Sequence, residues 1–317
     1  MIGLDAVRLI TPAYCLTNLN KDSFSITYEK GGKSYYKYQQ KIPFALTIIH
    51  NESRNRLTLD FTAKILLDNY PSLITTHTIR ECLENINCMG ICQLNIDSIM
   101  DTAIVEACDV TKDVCIPIHD IKELDKHLAT RVKNNKKYTY KVDNNGISVV
   151  HNADRKKKTR LKIYDKAHEI TLSKNNPFLT KIKDKEKVLD YFMDKYRVEV
   201  SIGTRATIRE YFGLGKKAKT LLTVVLNSCE NPILTLYDKF FYDTITVAKG
   251  KKKMAERCAL LQKCNYNLQE VEASLREHMN PNDSISRLMR PYRELLAKQE
   301  LDGLEILNIH DILEGAK

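Results

Sequence analysis

The sequence predicts an α+β fold in which two duplicated hairpin–helix–strand halves surround a mainly antiparallel sheet, followed by a C-terminal helical region. Gly31-Gly32 and Asn145-Gly146 each lie between runs of alternating apolar residues. This pattern is typical of hairpins, because Gly and Asn accept the positive φ that tight turns require. Segments with helical apolar spacing follow these runs, and beyond residue 203 helical spacing dominates.

The first half is predicted to contain mostly strands. They cover residues 6–11, 23–29, 35–38, 42–50, 56–61 and 103–114, with a short helix at 62–68 and a longer one at 78–87. A helix at 120–132 ends the first half. The second half has strands at 138–142, 147–151, 160–164 and 196–202, a helical turn at 166–173 and a helix at 185–195. The remaining helices are expected at 205–212, 218–228, 232–247, 254–263, 268–278 and 285–299.

The two halves also share a short stretch of sequence. Residues 56–63 (RLTLDFTA) align with residues 160–167 (RLKIYDKA). If this reflects a duplication, the halves should join in one sheet. Asp109 would then take the place in the first half that Glu199 takes in the second.

The charge balance favours a polyanionic partner. Fifty Lys and Arg against forty Asp and Glu give a net charge of +10, and the cations cluster at residues 133–137, 155–160, 181–187, 216–219 and 249–253. Clustered cations gain affinity by releasing counterions from phosphates, which points to nucleic acid.

The cysteines and the apolar runs limit the class of protein. The nine cysteines include no C-x-x-C pair, so reduced, mostly buried thiols are expected rather than a zinc site. No apolar run approaches the eighteen or so residues that span a bilayer, and Met1 begins no signal peptide. We therefore expect a cytoplasmic protein with no membrane partner.

A candidate nucleophile, Tyr164, ends a predicted strand. Lys166 is expected on the same face two residues later, where its ammonium could steady a phosphate or lower the pKa of the phenol. With sixteen tyrosines in the chain, simple ring packing is the alternative reading.

Three acids suit a divalent cation. Asp109 and Asp113 share one face of a predicted strand, and Glu199 lies between two valines on another. Carboxylates that converge from neighbouring strands are good oxygen ligands for Mg²⁺ or Mn²⁺. The alternative for Glu199 is a structural ion pair with Arg197 or Lys112. Because no His-hydrophobe-His triplet occurs, any metal would rest mainly on carboxylates.

Several segments resemble motifs of rolling-circle replication initiators. Residues 163–170 (IYDKAHEI) are similar to the Tyr-x-Lys-x-x-Glu-hydrophobe element of the filamentous-phage replication protein family and of the plasmid Rep_trans initiators. Residues 197–200 (RVEV) resemble their next motif, and 211–214 (YFGL) the segment that follows it in the phage family. Residues 108–113 (CDVTKD) resemble their upstream acidic strand, where Cys108 replaces the more frequent Arg.

This resemblance implies an origin-nicking enzyme. Tyr164 would attack the phosphodiester and keep a 5′-phosphotyrosine link, while the free 3′-hydroxyl primes a host polymerase. Lys166 would assist, Asp109, Glu199 and Asp113 would hold the metal, and Glu169 and His168 would support the site. DNA contacts are expected from Arg155, Lys156, Lys157, Lys158, Arg160, Arg197, Lys216 and Lys217.

The corresponding domain organisation has three parts. Residues 1–203 form the nicking domain, with halves at about 1–132 and 133–203, residues 204–248 a helical extension, and residues 249–317 a helical module that could dock DNA. The expected partners are an origin, as a hairpin or single-stranded nick site, and a host helicase and polymerase, and a homodimer stays open. Two other functions remain: a non-catalytic sequence-specific DNA-binding protein, and a mobilisation relaxase or strand-transfer enzyme.

Overall fold

Twelve strands and thirteen α-helices make up the described part of the chain. The computed structural model describes residues 3–28, 34–117, 120–129, 131–133, 135–151, 159–241, 252–264, 267–277, 284–301 and 309–315. The strands are β1 (Gly3–Thr11), β2 (Leu16–Leu19), β3 (Ser25–Tyr28), β4 (Ser34–Gln40), β5 (Leu46–Asn51), β6 (Arg56–Thr62), β7 (Cys92–Leu94), β8 (Ile104–Cys115), β9 (Tyr138–Asp143), β10 (Gly146–His151), β11 (Thr159–Asp165) and β12 (Lys195–Ile202). The helices are α1 (Ile79–Cys88), α2 (Ile96–Thr102), α3 (Ile121–Ala129), α4 (Lys166–Thr171), α5 (Asn176–Leu179), α6 (Lys185–Phe192), α7 (Arg205–Tyr211), α8 (Leu222–Leu226), α9 (Pro232–Phe240), α10 (Lys252–Lys263), α11 (Leu268–Glu277), α12 (Ile285–Leu301) and α13 (Ile309–Glu314).

Ten of the strands form one antiparallel sheet, in the order β3-β4-β5-β6-β1-β8-β12-β11-β10-β9. The strands of the first half lie on one side and those of the second half on the other, so the two halves join through β8 and β12. The predicted mixed α+β class is therefore confirmed. One difference is that β1 lies between β6 and β8, whereas β11 pairs with β12 directly.

One face of the sheet is apolar. Along β12, Val198, Val200 and Ile202 alternate with Arg197, Glu199 and Ser201, and the apolar set is buried. The buried side chains of α9 join the same core, and α9 contacts β8, β11 and β12. Because this face is covered, the alternating polar residues are left on the opposite face, where the candidate site lies.

The C-terminal helices have a core of their own. Leu261, Cys264, Val271, Met289 and Tyr292 of α10–α12 form a cluster separate from the main one. Helix α13 packs instead in the main core through Ile309 and Leu313. Lys112 Nζ of β8 donates to the carbonyl of Leu313 at 2.7 Å, which fixes the end of this helix against the sheet.

Some elements differ from their sequence-based bounds for identifiable reasons. The helix expected at 218–228 shortens to α8, because its first residues hydrogen-bond to β8, including Val105 N–H to the Thr220 carbonyl at 2.8 Å. The helix expected at 62–68 is a 3₁₀ segment, Ala63–Ser72, broken at Leu67, whose φ is 51°. The small sheet of β2 with β7, and helices α2 and α13, were not expected.

Candidate active site

Strands β8, β11 and β12 bring the motif residues together on the polar face of the sheet. The register places three rows of side chains across these strands. From one end to the other, the rows are Tyr164, Arg197 and Asp113; then Lys162, Glu199 and Thr111; then Arg160, Ser201 and Asp109. Residues that are distant in sequence therefore become neighbours only because the two halves of the chain share a sheet.

Tyr164 and Glu199 face each other diagonally across β11 and β12. The Tyr164 hydroxyl donates to Glu199 Oε2 at 3.4 Å, and the Arg160 guanidinium lies 3.9 Å from Glu199 Oε1. Burial and then the Glu199 charge raise the pKa of Tyr164 well above that of a free phenol. Tyr164 is accordingly protonated in this arrangement, with a carboxylate placed to accept its proton.

Asp109 and Glu199 form a carboxylate pair, and the pKa of each is raised. Burial and then the Glu199 charge raise the pKa of Asp109 to about 7, against the effects of Ser201 and Arg160. Burial and then the Asp5 charge raise the pKa of Glu199. Burial and neighbouring negative charges both disfavour ionisation, and the nearby cations Lys162, Arg160 and Arg197 offset this only in part for Glu199.

A divalent cation would fit beside the carboxylate pair, because its charge would favour the ionised form of both acids. The fully buried hydroxyl of Thr111, which stands opposite Glu199 in the register, has no hydrogen-bond partner. Two carboxylates and a hydroxyl are the oxygen donors that Mg²⁺ and Mn²⁺ take. Among the described residues, no three His, Cys, Asp or Glu side chains converge as metal ligands, so protein carboxylates would supply only part of a coordination shell.

Arg197 lies beneath the site and does not reach its surface. It is fully buried and donates to both carboxylate oxygens of Asp113, at 2.7 and 2.9 Å, and to Asp5 Oδ1 and the Tyr70 hydroxyl at 2.7 and 2.6 Å. The expectation that Arg197 contacts DNA was wrong because no part of its side chain is exposed. Asp113 as a metal ligand was wrong for a related reason: its oxygens are held by this guanidinium.

Lys166 starts helix α4 and is not part of the strand, which corrects the expected strand position. Asp165 caps this helix by accepting from the His168 peptide N–H at 2.8 Å, so the chain turns away directly after Tyr164. The Lys166 side chain is 2% exposed, and its ammonium lies 2.6 Å from Glu169 Oε2 and 5.8 Å from the centroid of the Tyr164 ring.

The Lys166–Glu169 pair is strongly polarised. Burial and then Arg197 lower the pKa of Lys166 to about 8, although Glu169 opposes this. Burial would raise the pKa of Glu169, but the Lys166 charge lowers it well below its usual range. Lys174 also pairs with Glu169, at 3.0 Å. The pair thus stabilises helix α4 directly after Tyr164, while His168 of the same helix is exposed.

Two residues of the site were not found by sequence reasoning. Asp5 lies at an irregularity in the β1–β8 pairing, between Leu4 and Ala6, and its charge acts on Glu199, Asp109 and Tyr164. A bulge inserts an extra residue and re-aims side chains, and the sequence does not reveal it. Tyr70 comes from the 3₁₀ segment and is fully buried against Arg197.

The other predicted DNA-binding residues differ in position. Arg160 stands at the edge of the carboxylate pair, with its side chain 39% exposed. Lys216 and Lys217 are exposed in the turn before α8. Arg155, Lys156, Lys157 and Lys158 lie outside the described residues.

The comparisons with known proteins include a distant similarity to a solved structure. A rolling-circle replication initiator protein from Geobacillus stearothermophilus matches with a TM-score of 0.36 at 10% identity, over 80% of this chain and 89% of that chain. No family model matches the chain, and no curated protein does either. Within the described residues, no helix is long and apolar enough to cross a membrane.

Proposed function

We propose that this chain is a rolling-circle replication initiator, which nicks one DNA strand at an origin through Tyr164. The observation that carries the proposal is the contact between the Tyr164 hydroxyl and Glu199 Oε2 at 3.4 Å. It pairs an oxygen nucleophile with a proton acceptor on a face that also carries Arg160. The sequence motifs support the same interpretation, because three of the four, residues 108–113, 163–170 and 197–200, supply β8, the end of β11 and β12 of this site.

The reaction would be an exchange of one phosphodiester for another. The Tyr164 oxygen attacks the phosphorus while its proton passes to Glu199 Oε2, the carboxylate oxygen that the hydroxyl faces. The phosphorus–O3′ bond breaks, its electron pair stays on O3′, and this oxygen takes up a proton. The products are a 5′-phosphotyrosine link and a free 3′-hydroxyl. A host polymerase would extend this 3′-hydroxyl while a host helicase unwinds the duplex.

Asp109 and Glu199, with the hydroxyl of Thr111, are the residues that would hold Mg²⁺ or Mn²⁺. A bound divalent cation would polarise the scissile phosphate and offset charge during an in-line displacement. The chain itself contributes the carboxylate pair, whose ionisation is opposed by burial and by neighbouring acids. Lys166 would act behind the nucleophile, since its ammonium is paired with Glu169 and lies beside the Tyr164 ring.

The test is formation of a covalent protein–DNA adduct. The full chain is incubated with Mg²⁺ or Mn²⁺ and supercoiled DNA that contains its own locus, and adducts are resolved on denaturing gels. Tyr164→Phe should lower adduct yield on the order of a thousandfold or more. Tyr140→Phe is the matched control, because the Tyr140 hydroxyl also donates to a carboxylate, that of Asp125, at 2.5 Å. Equal yields from wild type and Tyr164→Phe would refute the assignment of the nucleophile.

Two alternatives predict different results in the same assay. A non-catalytic sequence-specific DNA-binding protein would reduce the gel mobility of DNA from its own locus. It would form no covalent adduct with either metal. A mobilisation relaxase or strand-transfer enzyme would form the adduct and then join it to a second strand, without requiring extension of the 3′-hydroxyl by a polymerase. The reaction would take place in the cytoplasm, on the DNA that carries the origin. Size-exclusion chromatography with and without DNA would decide between a monomer and a homodimer.

A further inference from the structure

A groove opens on the polar face of the sheet, on the side of the carboxylate pair away from Tyr164. It has a volume of about 400 Å³ and is lined by Arg8, Asp60, Ala107, Asp109, Arg160 and Ser201, among others. We call it the distal groove. Small-molecule sites in proteins begin at about 300 Å³, so this groove has room for a single nucleotide.

Glu199 separates the distal groove from Tyr164. Its Oε2 faces the Tyr164 hydroxyl, and its Oε1 faces Arg160, which lines the groove. Arg160 and Tyr164 stand four residues apart on β11, a separation of about 13 Å along a strand. A phosphate over the carboxylate pair would therefore have Tyr164 on one side and the groove on the other.

In-line displacement gives this arrangement a direction. The attacking and leaving oxygens stand on opposite sides of the phosphorus. When the Tyr164 oxygen forms its bond, the O3′ that departs points away from Tyr164, toward the distal groove. We infer that this groove holds the nucleotide on the 5′ side of the nick, whose 3′-oxygen is released. The inference rests on the proposed function and assigns the position of one nucleotide within that site.

The lining has the chemistry that such a nucleotide needs. Among the described residues, the Arg160 guanidinium makes long contacts, 3.5 Å to Ser201 Oγ and 3.9 Å to Glu199, so it can turn to a phosphate. Arg8 and Asp60 form an exposed pair through Asp60 Oδ2, at 2.6 and 2.8 Å, which presents donors and an acceptor to a base edge. Ala107 contributes only a methyl group, which leaves the space open.

The experiment observes the groove without requiring catalysis. Tyr164→Phe protein, full length and labelled with ¹³C at alanine methyl groups, is titrated with hexanucleotides of mixed sequence that end in a 3′-hydroxyl. A nitroxide is attached to either the 3′-terminal or the 5′-terminal nucleotide. The Ala6 and Ala107 methyl resonances should shift and should broaden at least about threefold more with the 3′ label. The exposed Ala129 in α3 is the control and should change with neither label.

The outcomes separate this inference from the proposed function. Unchanged Ala6 and Ala107 resonances, or greater broadening from the 5′ label, overturn the inference even if wild-type protein forms the covalent adduct. Selective broadening by the 3′ label supports it, and if no adduct forms, only the proposed nicking activity falls. Ala107→Leu, which narrows the groove, should weaken hexanucleotide binding by about tenfold, whereas Ala129→Leu should not. Equal affinity of Ala107→Leu and wild type also counts against the groove.

Discussion

The phenolic oxygen of Tyr164 lies 3.4 Å from Oε2 of Glu199, and the two residues stand on neighbouring antiparallel strands, offset by two positions. Burial raises the pKa of both groups, so each keeps its proton to a higher pH than the free side chain does. The charge state of the tyrosine therefore depends on that of the acids around it. The first two predictions concern those acids.

Asp109 should make the protein less stable as the pH rises. Its pKa is about 7 in the folded chain, against about 3.9 for an unfolded Asp, so between these values only the folded chain keeps the proton. The free energy of unfolding should fall between about pH 4 and 7 and then level off. Urea unfolding of the metal-free protein in EDTA measures this. Asp109→Asn should flatten the slope and gain at least about 1 kcal/mol at pH 8 relative to wild type. The exposed-acid control Asp97→Asn should keep the slope.

Mg²⁺ should restore the stability that the metal-free protein loses as the pH rises. A cation that binds only the folded chain stabilises it by about 2.7 kcal/mol when its concentration is a hundred times its dissociation constant. Thermal unfolding at pH 8 with increasing Mg²⁺ or Mn²⁺ should show a rising midpoint for wild type and for Asp97→Asn. Glu199→Gln and Asp109→Asn should show little change. A wild-type response retained in both variants would place the cation elsewhere.

Removal of Arg197 should be costly. Arg197→Met leaves the carboxylates of Asp113 and Asp5 without their buried partner, which typically costs about 3–5 kcal/mol. Arg80→Met is the comparison, because Arg80 pairs with Asp97 at 2.8 Å in the open and should cost less than about 1 kcal/mol. Urea unfolding of both variants at pH 7 tests the difference. Similar losses in the two would contradict a structural role for the Arg197 cluster.

The buried hydroxyl of Tyr70 should contribute more to stability than the half-buried hydroxyl of Tyr38. Tyr70→Phe removes the buried acceptor of an Arg197 N–H bond of 2.6 Å, and an unsatisfied buried donor costs about 1–3 kcal/mol. Tyr38→Phe removes a half-buried bond to Gln40 of the same length and should cost less, because water can replace it. If the two variants unfold at the same urea concentration, the Tyr70 bond has no special weight.

The C-terminal helices should contribute to DNA binding through electrostatics. Arg287, Arg290 and Arg293 of α12 are exposed at a spacing of three residues, which places them along one side of the helix. Replacing all three with Gln should lower the slope of log affinity against log salt by up to about three, one per lost phosphate contact. Fluorescence anisotropy with a duplex of any sequence measures it, and Arg80→Gln should leave the slope unchanged.

Sequence patterns predicted most of the sheet, because turn residues and alternation are local signals. The β9–β10 hairpin turns at Asn144 and Asn145, with Gly146 as the first residue of β10, and alternation along residues 198–202 marks the buried face of β12. The predicted domain boundaries remain a prediction, although α10–α12 share a core and α13 packs elsewhere.

The site was harder to predict, because contacts between strands determine which motif residues are buried and which are accessible. An arginine in a motif looked like a phosphate ligand, yet Arg197 is buried since the 3₁₀ segment and α6 cover its end of the sheet with Tyr70 and Phe192. Asp5 could not be identified because a bulge, and not alternation, directs it. Position along the strand separates Asp109 from Asp113: one lies at the open end and the other under the guanidinium.

The central position of β8 has a consequence during synthesis on the ribosome. Once β1, β6 and β8 have emerged, β8 remains an edge strand until β12 is made about eighty residues later. At typical elongation rates this delay lasts on the order of ten seconds. An unpaired edge invites association with other nascent chains, and charges along it oppose such pairing. Asp109, Lys112 and Asp113 would thus protect the growing chain before any of them takes its place in the folded protein.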